Sequence, residues 1–291
     1  MGTFVRTLRE YKEDNLTDWA AALTYYSVLS VFPAMLVLVA LLGLLGQYPR
    51  TVNLLLDIVN DIGPSSAVDT FRGPIEGVVR NKGGAAAMVG IGALAALWSA
   101  SGYVGAFTRA SNRIYEVGER RFLRQRPLQL VVTLLMALLL ALVLAGLILS
   151  GPLASAIGGV VGLSDTVVTV WSVAKWPVLL LLVVVMVSLL YNLAPNVRQP
   201  KFRWISAGGV VAVVAWIVAS AGFAFYVSQF GSYNKTYGSL GAVIIFLVWL
   251  YISNNALLLG VELNAEIERS RELRKGLPAE DRLQVEPRDA R

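Results

Sequence analysis

The stretch "LTYYSVLSVFPAMLVLVALLGLLG", residues 23–46, decides the fold class of this chain. Its second half holds only apolar residues and glycine, which is the composition of a helix dissolved in lipid. Its first half differs, because two tyrosines, two serines and a proline occur there. The stretch predicts a membrane-spanning helix that carries hydrogen-bonding groups and a helix breaker at membrane depth.

The composition indicates the same environment. Of 291 residues 56% are hydrophobic and 15% are charged, whereas an ordinary soluble domain has roughly 25% charged residues. The chain contains no cysteine and no histidine. It therefore lacks a disulfide framework, a thiolate nucleophile, the commonest metal ligand and the commonest general base at neutral pH. We expect a membrane protein without a metal centre or a cofactor.

Six segments are long and apolar enough to span a bilayer, whose hydrocarbon core of about 30 Å needs roughly 20 apolar residues of helix. They are residues 20–45, 84–103, 128–150, 171–193, 204–228 and 240–261. Only a helix satisfies its backbone groups within one such segment. The predicted fold is all-α, a polytopic integral membrane helix bundle with six transmembrane helices, and this domain covers residues 1–275.

The distribution of Lys and Arg predicts the orientation. With the N-terminus inside, the inner segments carry 19 of these residues and the outer loops carry five. This asymmetry predicts that both termini are cytoplasmic. The net charge of +6 is then explained by contacts with anionic lipid headgroups, and a nucleic-acid-binding face is not required.

Two further segments have recognisable patterns. In the first outer loop, apolar residues recur at helical spacing in two groups, which are Val52, Leu55, Leu56 and Val59, and then Val68, Phe71, Ile75 and Val78. They predict a pair of short amphipathic helices that rest on the membrane or cover the mouth of the bundle. At the other end, the last helix should stop near Lys275, and residues 276–291 are charged enough to predict a disordered cytoplasmic tail.

Polar residues in the first span form one candidate site. Tyr26, Ser30 and Pro33 share a helix face, and Ser27 lies beside it. Proline has no N–H to donate to the carbonyl of Leu29, so the helix should bend there, and a nearby hydroxyl group can satisfy the freed carbonyl. The face either lines an internal cavity or holds helices together through hydrogen bonds. In the second span, Trp98 and Ser99 form a polar patch.

The last span carries the strongest candidates. Tyr251, Asn255, Glu262 and Glu266 recur on one face, with Asn254 on a neighbouring one. Carboxylates and amides inside a membrane are costly unless they face protein or water, so this stripe should point inward. The two glutamates lie near the cytoplasmic end, and the alternative interpretation pairs them with Arg109 or Arg113.

The entry to the last span suggests a third candidate. Tyr237 and Gly238 precede Ser239, a residue type that caps helix N-termini, and such an end attracts anions. The alternative is an ordinary turn with interfacial tyrosines.

Four stretches together resemble one family. They are "AAALTYYSVLSVFP", "LWSASGYVGAFTRASNRIYEV", "YNLAPNVR" followed by "RW", and "YGSLGAVIIFLVWLYISNNALLLGVELNAEIER". In this order they are similar to the YihY/BrkB family of bacterial inner-membrane proteins, once called ribonuclease BN, over residues 6–274. The chain departs from the family at Val261, where alanine is expected, and at residues 206–209, where a proline-led turn is expected. The resemblance implies a multi-pass helical protein of the bacterial cytoplasmic membrane, and it supplies no catalytic residue.

These observations favour one class of function. A metal-dependent nuclease needs clustered His and acidic ligands, and the acidic residues here are scattered over loops and the tail, so we expect no enzyme and no ribonuclease. The chain has no GxxxxGK[ST] sequence and does not itself use ATP. We expect a secondary transporter, exporter or lipid-translocating protein for an anionic or amphipathic solute, in contact with membrane lipids. The alternative is a non-transporting membrane scaffold or assembly factor.

Overall fold

Helices make up most of what the structure, a computed structural model, describes. It describes residues 3–45, 82–148, 165–198, 204–229, 239–280 and 282–289. Within these ranges there are seven α-helices and no strand, as the all-α prediction requires. The helices are α1 (Thr3–Glu13), α2 (Leu16–Leu45), α3 (Lys82–Ile114), α4 (Phe122–Ile148), α5 (Asp165–Leu193), α6 (Ala207–Gln229) and α7 (Ser239–Arg274).

Five of the described helices are long and apolar enough to cross a membrane, judged by length and composition. The segments are Gly90–Ile114, Phe122–Val143, Val173–Leu193, Ala207–Gln229 and Val243–Arg274. They agree with the second to sixth predicted spans. Helix α2 covers the first predicted span, but the side chains of residues 31–45 lie outside the described residues, and this sixth span stays a prediction. The predicted amphipathic pair between residues 52 and 78 also lies outside them.

Apolar side chains face outward along these helices. Leu138 and Val218 are 57% and 66% exposed on the protein surface. A soluble protein avoids such extended apolar surfaces, whereas lipid accommodates them. The exposed residues therefore support the membrane environment that the composition predicted.

The helices begin and end at other residues than the predicted spans do, because hydropathy reports only the apolar core of a helix. Helix α7 has 36 residues and is about 54 Å long at 1.5 Å per residue, well beyond the roughly 30 Å of a hydrocarbon core. It ends as predicted, since Gly276 takes a φ of 77° and the N–H of Leu277 donates to the carbonyl of Glu272 at 3.1 Å, which is a Schellman cap.

The chain divides into two compact units. The first comprises Met1–Trp19, Phe107–Val218 and Asn255–Arg291. In it the Phe107 and Tyr191 rings stack with centroids 6.0 Å apart, and the Tyr191 hydroxyl donates to the carbonyl of Leu257 at 2.6 Å. Helices α6 and α7 approach at two glycines, because a Cβ on Gly208 would lie 2.0 Å from the carbonyl oxygen of Gly260. Glycine allows this close backbone contact between membrane helices.

The second unit comprises Ala20–Ala106 and Ala219–Asn254. Here Gly102 of α3 lies against the ring of Tyr26, since a Cβ at Gly102 would be 3.1 Å from the Tyr26 Cδ1 atom. The Trp249 indole donates to the Ser220 hydroxyl at 3.2 Å. Small residues and single hydrogen bonds thus hold the helices of this unit together.

The predicted disordered tail is not what the structure shows for residues 276–280 and 282–289. Ala279 and Leu283 are buried, and Val197 forms an isolated antiparallel bridge with Pro287. The Arg288 guanidinium donates to the carbonyls of Val197 and Asn192 at 2.7 and 2.9 Å. The cause is local, because the carboxyl end of α5 leaves carbonyl groups without intrahelical partners, and the tail supplies their donors. The composition of the tail does not reveal that these carbonyl groups need hydrogen-bond donors.

Helix α1 has the reverse of a soluble amphipathic pattern. Its exposed face carries Phe4, Val5 and Leu8, while Thr7 on the opposite face is buried. Polar residues of that inner face contact α7, as described below. A surface helix in water places its apolar stripe toward the protein. The exposed apolar stripe of α1 instead suits a lipid interface.

Candidate functional site

The carboxylate of Glu266 lies between two arginines of the first unit. Glu266 is 0% exposed, Arg6 of α1 approaches Oε2 at 2.8 Å, and Arg269 approaches Oε1 at 2.7 Å. Among the ion pairs of the described residues, neither Arg109 nor Arg113 joins Glu262 or Glu266, and Arg113 instead contacts Asp14 at 3.2 Å. Helix α1 lies along α7 and brings Arg6 to Glu266, and hydropathy could not predict that contact.

Helix α1 is fixed to α7 by further polar contacts. Arg6 also donates to the Ser270 hydroxyl at 2.6 Å, and the Tyr11 hydroxyl donates to Asn255 Oδ1. Asn255, predicted on the inward stripe, is thus bonded to α1. Thr3 adds a 3.2 Å contact with Ser270. The N-terminal helix therefore covers the polar side of the carboxyl half of α7.

Glu262 lies one turn before Glu266 and is in a different situation. It is 2% exposed, and its neighbours Leu258, Val261 and Ala265 are also buried. Its Oε2 atom has no hydrogen-bond partner among the described residues. A buried, ionised carboxylate normally has a cation or several donors to stabilise it. Glu262 is therefore the exceptional group of the candidate site.

Two carboxyl groups of the α1 region lie close to Glu262. Glu10 and Asp14, together with Glu266 and Arg269, are the charged groups that act on it electrostatically. Burial raises the pKa of Asp14, and Arg113 acts in the opposite direction. Burial also raises the pKa of Glu10, with the charge of Glu13 as the second cause. Both groups are therefore easier to protonate than ordinary surface carboxyls.

Arg269 connects α7 to the end of α3, a contact that the sequence did not suggest. Its Nη2 atom lies 2.8 Å from Glu116 Oε1, and its Nη1 atom donates to the carbonyl of Ala279 at 3.1 Å. Glu116 adopts a φ of 54°, a strained conformation for a residue other than glycine or asparagine. Its other carboxylate oxygen accepts from the N–H of Leu283. The unusual backbone thus accompanies two contacts that use the side chain.

Asn254 of α7 belongs to the second unit, and both ends of its amide group are hydrogen-bonded. It is buried, its Nδ2 atom donates to Thr24 Oγ1 at 3.1 Å, and the Tyr103 hydroxyl donates to its Oδ1 atom at 2.9 Å. Asn254, predicted on the face next to the inward stripe, is thus bonded to α2 and α3. Tyr103 was not a candidate, although it follows Trp98 and Ser99 on α3. Tyr251 is partly buried.

The polar residues of α2 have assigned partners. Ser27 and Ser30 donate to the carbonyls of Leu23 and Tyr26, four residues earlier in the same helix, at 2.9 and 2.8 Å. These bonds need no other helix, so the hydroxyls add little to a binding site by themselves.

Ser99 of α3 satisfies the carbonyl that the sequence identified. Its hydroxyl donates to the carbonyl of Leu29 at 2.9 Å, which is the group that Pro33 cannot bond. The expectation that a hydroxyl would supply this bond agrees with the structure. Trp98 is 66% exposed, and its polar patch with Ser99 stays a prediction. The Pro33 side chain, and all of Tyr237 and Gly238, lie outside the described residues.

One cation inside a span has a contact that the sequence left unassigned. Lys175 of α5 is 7% exposed, and its ammonium group lies 5.2 Å from the centroid of the Trp176 ring. Such a position favours a cation–π interaction. Among the described residues there is no group of three His, Cys, Asp or Glu side chains placed to hold a metal ion.

Comparison with known proteins places the chain among membrane proteins. The family model described as virulence factor BrkB matches residues 7–284. The ribonuclease-like protein YfkH of Bacillus subtilis (strain 168) is 32% identical over 263 residues, covering 90% of this chain and 92% of that protein. A UPF0761 membrane protein of Vibrio vulnificus (strain CMCP6) is 28% identical, covering 98% of this chain and 87% of its own length. No solved structure matches the chain.

Proposed function

The chain belongs to the BrkB family of membrane proteins, and from this premise we propose that it is a secondary transporter, exporter or lipid-translocating protein. Its solute is anionic or amphipathic. The observation that carries the proposal is Glu262, a carboxyl group that is 2% exposed and has an oxygen without a hydrogen-bond partner among the described residues. Polar and ionisable groups kept inside membrane helices at such cost commonly serve transport.

Lys175 supports the anionic class of solute. A lysine buried in a helix of the predicted transmembrane domain is costly, and a transient anionic partner would offset that cost. Its cation–π contact with Trp176 holds the ammonium group while leaving it able to bind an anion. An ordinary lipid-facing position would not require a charged side chain.

The alternative function is a membrane scaffold or assembly factor that moves no solute. The observation that favours it comes from α2, where Ser27 and Ser30 bond to their own helix. Such residues improve helix packing without forming a pathway.

We propose no enzymatic activity. The name of the relative YfkH mentions ribonuclease, but the present chain has no histidine and no cysteine. Contacts with anionic lipid headgroups explain its basic residues better than RNA binding does. In this proposal the protein lies in the bacterial cytoplasmic membrane with both termini inside, and α1 rests on the inner leaflet through Phe4, Val5 and Leu8.

Reconstitution into liposomes tests the proposal. The probes are fluorescently labelled phosphatidylglycerol, labelled phosphatidylcholine as its zwitterionic counterpart, and the organic anion carboxyfluorescein. We expect protein-dependent movement of at least one anionic probe, and we expect Lys175→Met to slow it while the protein stays folded. If none of the probes moves faster than in protein-free liposomes, the scaffold function is favoured.

A further inference from the structure

The part of the chain that the structure describes supplies no cation to the Glu262 carboxyl group. Arg6 and Arg269 do not pair with Glu262, because both bind Glu266. Arg113 is bound to Asp14. Among the described residues no lysine or arginine forms an ion pair with Glu262. An ionised carboxylate in this position would be a buried, uncompensated charge, which folded proteins avoid by neutralising the group.

A second orphan polar atom lies in the last turn of α3. The Ser111 hydroxyl is 0% exposed and also lacks a hydrogen-bond partner among the described residues. Tyr115 lies just past the end of α3, its N–H donates to the carbonyl of Ser111 at 3.0 Å, and the charges of Glu268 and Glu262 act on it.

The oxygen atoms around Glu262 suit a proton as the bound ion and do not suit a metal ion. A metal cation such as Ca²⁺ needs six or more oxygen ligands, and the described residues offer no group of three acidic ligands. A proton needs only one carboxylate oxygen. Once protonated, the carboxyl group also becomes a hydrogen-bond donor, which a hydroxyl can accept.

A carboxyl group that reaches solvent directly follows α1. The Asp14 side chain is 18% exposed, so it contacts solvent, and it lies within electrostatic reach of Glu262 together with Glu10. The charged and titratable groups that act on Glu262 or on which it acts are thus Glu10 and Asp14 from the α1 region, Tyr115 after α3, and Glu266 and Arg269 from α7. Of these, Asp14 pairs with the exposed Arg113, whereas Glu266 is held by two arginines.

We propose that Glu262 binds the proton whose movement drives transport, with Asp14 as the group that exchanges it with solvent. This inference rests on the proposed function and names its coupling ion. In the step, the Asp14 carboxyl releases a proton, the Glu262 carboxylate takes it up at Oε2, and Asp14 is protonated again from water. The reverse sequence returns the proton.

The first test detects the proton without requiring transport. Infrared difference spectroscopy of the full chain in lipid nanodiscs, recorded while pH is changed, reports the C=O stretch of a buried protonated carboxyl group. We expect such a band at neutral pH, a shift of it in D₂O, and its loss in Glu262→Gln. Glu268→Gln on the same helix is the matched control, because Glu268 is paired with Arg271 at 2.8 Å. A band that persists in Glu262→Gln, or no band in the wild-type protein, would overturn the proposal.

The second test separates this inference from the proposed function. Liposomes containing the protein and labelled phosphatidylglycerol or carboxyfluorescein are given an inward or outward pH gradient. We expect the gradient to accelerate probe movement in the wild-type protein and to have no effect in Glu262→Gln, with a slower response in Asp14→Asn. Probe movement that ignores the gradient would overturn the proton role and leave transport standing. No movement in either protein would overturn transport and, with it, the coupling role.

Discussion

Gly208 of α6 and Gly260 of α7 meet with their backbones in direct contact. A Cβ on Gly208 would lie 2.0 Å from the carbonyl oxygen of Gly260, and one on Gly260 would lie 2.5 Å from that of Gly208. We therefore expect Gly208→Ala to push the two helices apart and to lower the free energy of unfolding by about 1–3 kcal/mol. Unfolding in mixed micelles, followed by circular dichroism, measures this effect.

Gly222 in the same helix is the matched control. Nothing lies within 4 Å of a Cβ placed there, and alanine favours helix by about 1 kcal/mol over glycine. Gly222→Ala should leave stability unchanged or raise it. If Gly208→Ala and Gly222→Ala lower the free energy of unfolding equally, the close approach of the two backbones is not the reason that position 208 needs glycine.

The contribution of Ser99 to the free energy of unfolding should depend on the presence of Pro33. Ser99→Ala removes the 2.9 Å bond to the carbonyl of Leu29 and should cost about 0.6 kcal/mol, the average for such bonds in membranes, and at most about 1.7 kcal/mol. In a Pro33→Ala background the residue at 33 regains its N–H and can bond Leu29 itself. The cost of Ser99→Ala should then shrink, which a double-mutant cycle in the same unfolding assay measures. A cost that stays the same in both backgrounds contradicts this explanation.

Two arginines of α1 should behave differently. Arg6 is bound to the buried Glu266, with side-chain exposures of 22% and 1%, whereas Arg9 pairs with Glu13 at exposures of 60% and 52%. Arg6→Ala should cost about 3 kcal/mol because it leaves a buried carboxylate short of a partner. Arg9→Ala should leave stability nearly unchanged, because water screens an exposed ion pair. Similar melting temperatures for the two variants would mean that α1 is not held by the Glu266 contact.

The tail contact of Arg288 is a further prediction. Arg288→Ala removes two bonds to the end of α5 and should loosen residues 282–289, seen as faster hydrogen exchange by mass spectrometry. The expected loss is about 2 kcal/mol, since bonds from charged donors are strong. Arg198→Ala serves as the control, because Arg198 meets Glu286 at 3.6 Å with exposures of 66% and 77%. Unchanged exchange in Arg288→Ala would show that the bridge at Pro287 alone holds the tail.

The orientation can be tested directly because the chain has no cysteine of its own. Single cysteines at Ser65 and at Lys275 should react with a membrane-impermeant maleimide from opposite sides, Ser65 in intact cells and Lys275 only after permeabilisation. This follows from the excess of Lys and Arg in the segments assigned to the inside. Labelling of both positions in intact cells would reverse or disprove the topology.

How far the sequence could predict the molecule depends on what each feature requires. Five spans were predictable, because a membrane helix needs only length and apolar composition. The bond from Ser99 to Leu29 was predictable in kind, because a proline always frees one carbonyl. The partner of Glu266 was not, since the position of α1 depends on contacts between residues about 260 apart in the chain. The ordered tail was missed for a similar reason, as its partners belong to α5 and not to its own sequence.

The tail contact also has a consequence for the order of events during biosynthesis. Arg288 follows Asn192, whose carbonyl it binds, by 96 residues. At a synthesis rate of 5–20 residues per second the ribosome needs about 5–20 s to make that interval. Helix α5 is therefore complete, with its terminal carbonyls open, while α6 and α7 are still being made. The nascent protein therefore passes through a stage in which α5 is formed and its carboxyl end still lacks the hydrogen bonds from the tail.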